Sequence, residues 1–197
     1  MLEFVAATFL LIITPGPGVM SAAGMGAAYG FRTGLRYVLG LMLGQLVVIV
    51  LVVSGLAALI LANPAIRTVL FALSTAYLFY LAARIAFAGA RIRFIEARRR
   101  PGIAAGFVLQ TINPSAYVVN TTLFSGFVFY PQAYWTEVAV KLVLLHAIWI
   151  PIHLAWLYAG VMLERLDLPP RTQRFINIAM ALAMLGVVAL AALSARG

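Results

Sequence analysis

The chain has 197 residues, 64% of them hydrophobic and 10% charged, and a mean hydropathy of +1.05. Soluble domains carry about a quarter charged residues, so this composition excludes an ordinary soluble domain, and with no cysteine there is neither disulfide nor thiol chemistry. The formal charge of +9 is that of a basic loop beside anionic lipid and calls for no nucleic acid as partner.

A membrane-spanning helix takes roughly 20 mostly apolar residues, and stretches of that kind recur about six times along the sequence. The first runs from about Leu2 to Ala28 and is interrupted by Thr14-Pro15-Gly16-Pro17-Gly18. It follows Met1, Leu2 and Glu3 without a basic n-region, so it reads as a retained helix rather than a cleaved signal peptide. The second runs from about Gly34 to Leu61 and ends before Asn63-Pro64; the third covers about Ala65 to Ala88. A basic stretch, Arg91 to Arg100, follows. The fourth span covers about Gly102 to Phe129 with an interruption at Asn113-Pro114, and the fifth about Val138 to Leu163. A polar connector holding Asp167, Pro169, Pro170, Arg171 and Arg174 leads to the sixth, about Phe175 to Leu193. These spans are too long for barrel strands and do not alternate apolar with polar residues. The expected fold is therefore an all-α integral membrane protein, a single transmembrane domain over residues 1–197.

Orientation follows from the basic residues. Arg32, Arg36, Arg84, Arg91, Arg93, Arg98, Arg99, Arg100, Arg165, Arg171 and Arg174 fall on one side, and Arg67, Lys141 and Arg196 on the other. Basic residues favour the cytoplasm, which puts both termini on the outer, periplasmic face. Arg84 reads as snorkelling to the cytoplasmic interface, and Tyr130, Tyr134 and Trp135 as an interfacial belt.

A shift of 97 residues superposes Thr14 on Thr111, Pro17 on Pro114 and Tyr37 on Tyr134. Each interruption then falls in the first span of a three-span half. Three is odd, so the halves, about 1–90 and 102–197 around a cytoplasmic loop at about 89–101, are inverted in the membrane. Broken helices at matching positions of inverted repeats point to a transporter's binding site. Proline removes a backbone donor and clashes with the preceding turn. Two prolines around Gly16 interrupt the helix, and the freed backbone groups must line a cavity or meet other protein. The new helix end after Pro17 suits an anionic group such as a carboxylate. Asn113-Pro114 alone fits an ordinary proline kink as well.

After the first break, Gly18, Ala22, Gly26 and Gly30 form a small-residue stripe, and the second span adds Gly40 and Gly44. The spacing lets helices approach closely within the chain. A homodimer is its second use.

Ionisable groups inside spans are functional candidates. Glu3, Glu96, Glu137, Glu164 and Asp167 all fall at termini, span ends or loops. His146 and His153 lie within the fifth span, and the seven-residue separation is nearly two turns, which predicts one shared face. Trp149 and Trp156 each follow a histidine by three residues. Histidine titrates near neutral pH and suits proton exchange; an interhelical hydrogen bond is the plainer role for each. Gln45, Asn113, Asn120, Thr121 and Thr122 add uncharged groups able to bond a zwitterion, although helix packing is the favoured role for the last three.

Thr14-Pro15-Gly16-Pro17 with the glycines at 26, 30, 34, 40 and 44, and Gly106-Phe107 leading to Ile112-Asn113-Pro114, resemble the LysE/RhtB family of amino-acid exporters. The resemblance covers nearly the whole chain, including its length, span number and basic central loop. It implies a bacterial inner-membrane permease that exports amino acids or their derivatives in exchange for protons. Two positions depart from the family. Ser115 stands where a lysine often follows Asn-Pro, and Gln45 where an acidic residue or histidine often follows the glycine pair. Both departures remove charge.

Candidate binding residues are therefore Thr14, Pro15, Gly16, Pro17, Gln45, Asn113, Pro114 and Asn120, with His146 and His153 as proton carriers. The partners are a small amino acid, protons and the bilayer. A metal-cation exporter is the alternative, but cations want clustered carboxylates and histidines. An intramembrane enzyme is a third, but the chain shows no nucleophile–base set and no histidine-rich metal box, so neither cofactor nor metal is expected. Without buried acids to meet a side-chain cation, a neutral amino acid fits better than lysine or arginine.

Overall fold

The computed structural model describes residues 1–86, 101–166 and, beyond these, 169, 171, 172, 174–179, 182 and 186. The basic stretch Arg91–Arg100 and most of the expected sixth span, Phe175–Leu193, lie outside the described residues. All regular structure among the described residues is helical.

Helix α1, Leu2–Ile13, stops at Thr14, whose backbone N–H and hydroxyl both donate to Leu10 O (3.3 and 2.6 Å). Pro15 supplies no donor, so the helix ends there. Helix α2, Pro17–Val53, then opens on a proline, which is suited to a first helical position because that N–H has no partner in any case. Its 37 residues do not form one rod. Gly30 sits at φ 73°, ψ 177°, a conformation in effect reserved for glycine. The Tyr37 hydroxyl donates to Ser21 Oγ at 2.9 Å. Sixteen residues of straight helix would separate these two by about 24 Å. The chain therefore folds back at Gly30 into two arms, residues 17–29 and 31–53. Gly30 is a turn, not the end of a packing stripe.

The second arm ends earlier than its hydropathy suggests. Gly55, left-handed at φ 79°, breaks it after Val53, and a short α3, Leu56–Ala62, follows. Helix α4, Pro64–Ala86, is capped by Asn63, whose Oδ1 accepts from the N–H groups of Ala65 (2.9 Å) and Ile66 (3.2 Å). The interruption at Asn113-Pro114 divides α5, Ile103–Ile112, from α6, Pro114–Gly126. Pro17 and Pro114, which the 97-residue shift superposes, each open a helix. Helix α7, Tyr134–Arg165, carries Pro151 in its interior.

Among the described residues, three helical stretches are long and apolar enough to cross a membrane: Pro17–Val53, counted across its fold at Gly30, Pro64–Ala86 and Tyr134–Leu163. Large apolar side chains such as Val50, Leu59, Val143 and Trp135 stand exposed, a surface suited to lipid rather than water. The chain is thus an all-helical membrane protein.

Helix α2 packs most closely against α5 and α7, and glycine makes both contacts possible. A Cβ on Gly40 would collide with Ile103 O, and one on Gly106 with Tyr37 O. On the other side a Cβ on Gly26 would strike Leu157 O, and one on Gly160 would strike Ala23 O. These are backbone-to-backbone approaches, available only where side chains are missing. Tyr37, Leu41, Leu109, Leu145 and Leu157 fill the core between them.

Candidate functional site

Both helix breaks border one cavity of about 100 Å³, a volume for a small molecule. Thr14, Gly16, Pro17 and Gly18 line it from the first break, and Asn113, Ser115 and Ala116 from the second. Gln45, Gln110, Asn120, Trp149 and His153 supply further polar atoms, and Leu11, Leu123 and Leu145 apolar wall. Among the described residues the lining contains no carboxylate, lysine or arginine.

The two helices that start at this cavity end differently. At α6, Asn113 Oδ1 accepts from the backbone N–H and the hydroxyl of Ser115 (3.1 and 3.0 Å), so this N-terminus caps itself. The Thr111 carbonyl near the break is satisfied by the Tyr117 hydroxyl at 2.7 Å. At α2 the capping residue is Gly16, which has no side chain to offer. The first backbone bond there runs from Met20 N–H to Gly16 O (3.0 Å), so the N–H groups of Gly18 and Val19 precede it. An uncapped helix N-terminus at a cavity is a place for an anion.

Three amides form a directed chain. Asn120 Nδ2 donates to Ala116 O (2.7 Å), Gln45 Nε2 donates to Asn120 Oδ1 (2.9 Å), and Gln110 Nε2 donates to Gln45 Oε1. All three residues are buried. The donor and acceptor atoms that point into one another leave the cavity polar but without net charge.

His153 is 4% exposed and lies flat on Trp149, with ring centroids 3.6 Å apart and planes 18° apart. Its Nδ1 stands 2.9 Å from Trp149 O. Its Nε2 lies 3.3 Å from the point where a Gly18 Cβ would be.

Thr14, Gly16, Pro17, Gln45, Asn113, Asn120 and His153 therefore meet around one space, while Pro15, Pro114 and His146 do not line it. Pro15 and Pro114 shape the breaks without lining the cavity. His146 Nδ1 meets Leu142 O at 2.9 Å, and its buried Nε2 has no partner among the described residues. Helix α7 runs on through Pro151, so the two histidines stand nearly two turns apart along it, and only His153 reaches the cavity. Gln110 and Trp149 were not among the sequence-level candidates. Gln110 belongs to the same class as Gln45, an uncharged amide in an apolar span, and that signal would have found it. Trp149 meets His153 across four residues, not the three that separate it from His146.

A second polar feature lies at the start of α7. Glu137 and Lys141 are both buried and pair at 2.7 Å. Glu137 Oε2 accepts from the N–H groups of Phe129 (2.9 Å) and Tyr130 (2.6 Å), and Lys141 Nζ donates to Phe124 O (2.7 Å). Lys141 also faces the Phe129 ring, which packs edge-on against Phe4. The pair staples the 127–133 connection and the end of α6 to α7. Glu137 was read as a residue at a span end; it is a buried partner in the first turn of α7.

Residues 9–195 match the LysE type translocator family. The chain is 32% identical over 160 residues to a cysteine/O-acetylserine efflux protein of Salmonella choleraesuis (strain SC-B67), a match covering 80% of each chain. It is 29% identical over 175 residues to a cysteine/O-acetylserine efflux protein of Escherichia coli (strain K12), covering 89% of this chain and 88% of the relative. No solved structure matches the chain. A helical membrane chain with a small polar cavity at paired helix breaks, matched over nearly its whole length, belongs to the LysE type translocator family and is a transporter, not an enzyme.

Proposed function

We propose that the chain exports small neutral amino acids or related metabolites across the bacterial inner membrane in exchange for protons. The observation that carries this reading is the cavity itself: two helix breaks border polar groups and, among the described residues, no carboxylate, lysine or arginine. A zwitterion with an uncharged side chain finds partners there. A substrate with a cationic side chain finds no counter-ion, and desolvating an unpaired charge is costly. Cysteine and O-acetylserine, named for the relatives, belong to the zwitterionic class.

In this reading the break Thr14-Pro15-Gly16-Pro17 presents the uncapped start of α2 to the substrate carboxylate. Gln45, Asn113 and Asn120 form the facing wall, and Pro114 makes the break that places Asn113 there. The proton carriers are the histidines of α7, His153 at the cavity and the half-buried His146 nearly two turns away along the helix. The chain crosses the membrane six times in two inverted three-span repeats, with both termini periplasmic and the basic stretch in the cytoplasm. The reading is tested by uptake of labelled amino acids into everted inner-membrane vesicles. Alanine, serine, cysteine and O-acetylserine should accumulate when the chain is present, and lysine and arginine should not. Accumulation of lysine or arginine in preference to the neutral compounds would overturn it.

A further inference from the structure

The amide chain has a fixed direction. Ala116 O is a carbonyl and can only accept, so the Asn120 atom bonded to it must be the amide nitrogen. Asn120 Oδ1 is then an acceptor, which makes its Gln45 partner the nitrogen, and Gln45 Oε1 in turn accepts from Gln110 Nε2. One backbone carbonyl thus sets three amides and leaves Gln110 Oε1 as an unused acceptor. It lies 3.9 Å from the point where a Gly18 Cβ would stand.

The same logic fixes the imidazole. Nδ1 of His153 lies against Trp149 O, an acceptor, so Nδ1 carries the hydrogen. In the neutral ring Nε2 is then a bare lone pair. It stands 3.3 Å from the same Gly18 point. Two buried acceptors therefore converge on the space that glycine leaves open at position 18, beside the uncapped N–H groups of α2. Acceptors paired in this way call for a donor with several hydrogens.

We infer that His153 Nε2 and Gln110 Oε1 seat the substrate's ammonium group, so that the substrate amine and a proton on His153 occupy one place by turns. This rests on the export reading above and deepens it. With the carboxylate at Gly18 and Val19 N–H and the ammonium across the Gly18 Cα, an α-amino acid is held by both ends. When Nε2 takes a proton it becomes a donor and a cation, and it can no longer accept from an ammonium. Arrival of substrate requires that proton to leave, and arrival of the proton releases substrate. Exchange of one for the other follows from shared occupancy without a separate coupling site.

Among the described residues no other titratable group lines the cavity beside the ring. The atoms that α1, α2, α5 and α6 present to the cavity come from Leu, Ile, Thr, Gly, Pro, Val, Gln, Asn, Ser and Ala. The hydroxyls of Tyr37 on α2 and Tyr117 on α6 are bonded to Ser21 and Thr111. On α7, His146 borders no part of the cavity, and Glu137 and Lys141 pair with each other about three turns away.

The test is binding to the purified full chain in lipid nanodiscs, with ¹⁵N-labelled histidine and its two signals assigned by difference using H146Q. The His153 ring should show the Nδ1–H tautomer. Added O-acetylserine should move its protonation to lower pH, and the half-saturating concentration should rise about tenfold per unit as pH falls below the ring's midpoint. 3-Acetoxypropanoate, the same molecule without the amine, should bind at least tenfold more weakly and leave the ring unmoved. H153Q should bind O-acetylserine with an affinity flat in pH, and Gly18→Ala, whose methyl fills the shared space, should bind it at least tenfold more weakly. An Nε2–H tautomer, equal binding of the amine-free analogue, or a pH-dependent affinity surviving in H153Q would each overturn the inference. Binding that is flat in pH, together with intact export in vesicles, would sink it while leaving the export reading standing. Binding as described without export would do the reverse. A chain that binds none of alanine, serine, cysteine and O-acetylserine overturns both.

Discussion

Gly30 and Gly55 both have positive φ, 73° and 79°, yet they occupy different regions of backbone space. Gly55, with ψ −8°, is left-handed, a region asparagine also enters, and an added Cβ there would meet nothing within 4 Å. Gly30, with ψ 177°, lies where a side chain collides with its own backbone. Gly30→Ala should cost about 1–3 kcal/mol in unfolding measured in detergent, and Gly55→Asn at most about 1 kcal/mol. Equal losses would mean that the fold-back at Gly30 is not held by that conformation. The amide chain gives a second outcome at this scale. Gln45→Leu removes the middle member and leaves Asn120 Oδ1 and Gln110 Nε2 buried without partners, which should cost about 1–3 kcal/mol. Substrate affinity should fall with it, because Gln110 is then free to turn; unchanged stability and affinity would show that the amides do not act together. Single-residue chemistry was partly legible. Gln45, Asn120 and His153 stand out as polar residues in apolar runs, but their convergence with Gln110 and Trp149 depends on how four helices pack, and spacing within one helix cannot report that.

At the scale of elements, what proline and glycine announce is what could be read. Pro15-Gly16-Pro17 and Asn113-Pro114 interrupt their helices where the missing N–H groups require it. The break at Ser54-Gly55 was not read, because it sits inside a continuous apolar run with no proline or charge to mark it. Of the i,i+4 pair Glu137–Lys141, Glu137 fell one residue before the expected start of the fifth span and Lys141 inside it, whereas α7 begins four residues earlier than that expectation and holds both. This pair ties the connection after α6 to α7 in a buried setting, where loss of one member strands the other. Lys141→Met should cost about 3–5 kcal/mol, and Glu137→Gln with Lys141→Met together less than the sum of the two single changes. A double-mutant cycle on unfolding in detergent measures this. Additive losses would mean that the two side chains hold the connection independently, through Phe124 O on one side and the Phe129 and Tyr130 amides on the other.

At the scale of the whole molecule, composition alone placed the chain in a membrane. The breaks indicated where the cavity lies, and the match over residues 9–195 places the chain among LysE type translocators. The direction of crossing rests on the arginine distribution, whose densest part, Arg91–Arg100, lies outside the described residues. In the proposed exchange a small amino acid with an uncharged side chain and a proton move in opposite directions through one cavity. It is tested most directly with the purified chain in liposomes carrying a pH gradient as the only driving force. Labelled O-acetylserine and the internal pH are followed together. The account predicts accumulation of substrate in the acidic compartment, protons leaving that compartment as substrate enters, and loss of both linked movements in H153Q. Accumulation that ignores the pH gradient, or substrate and protons moving in the same direction, would contradict it.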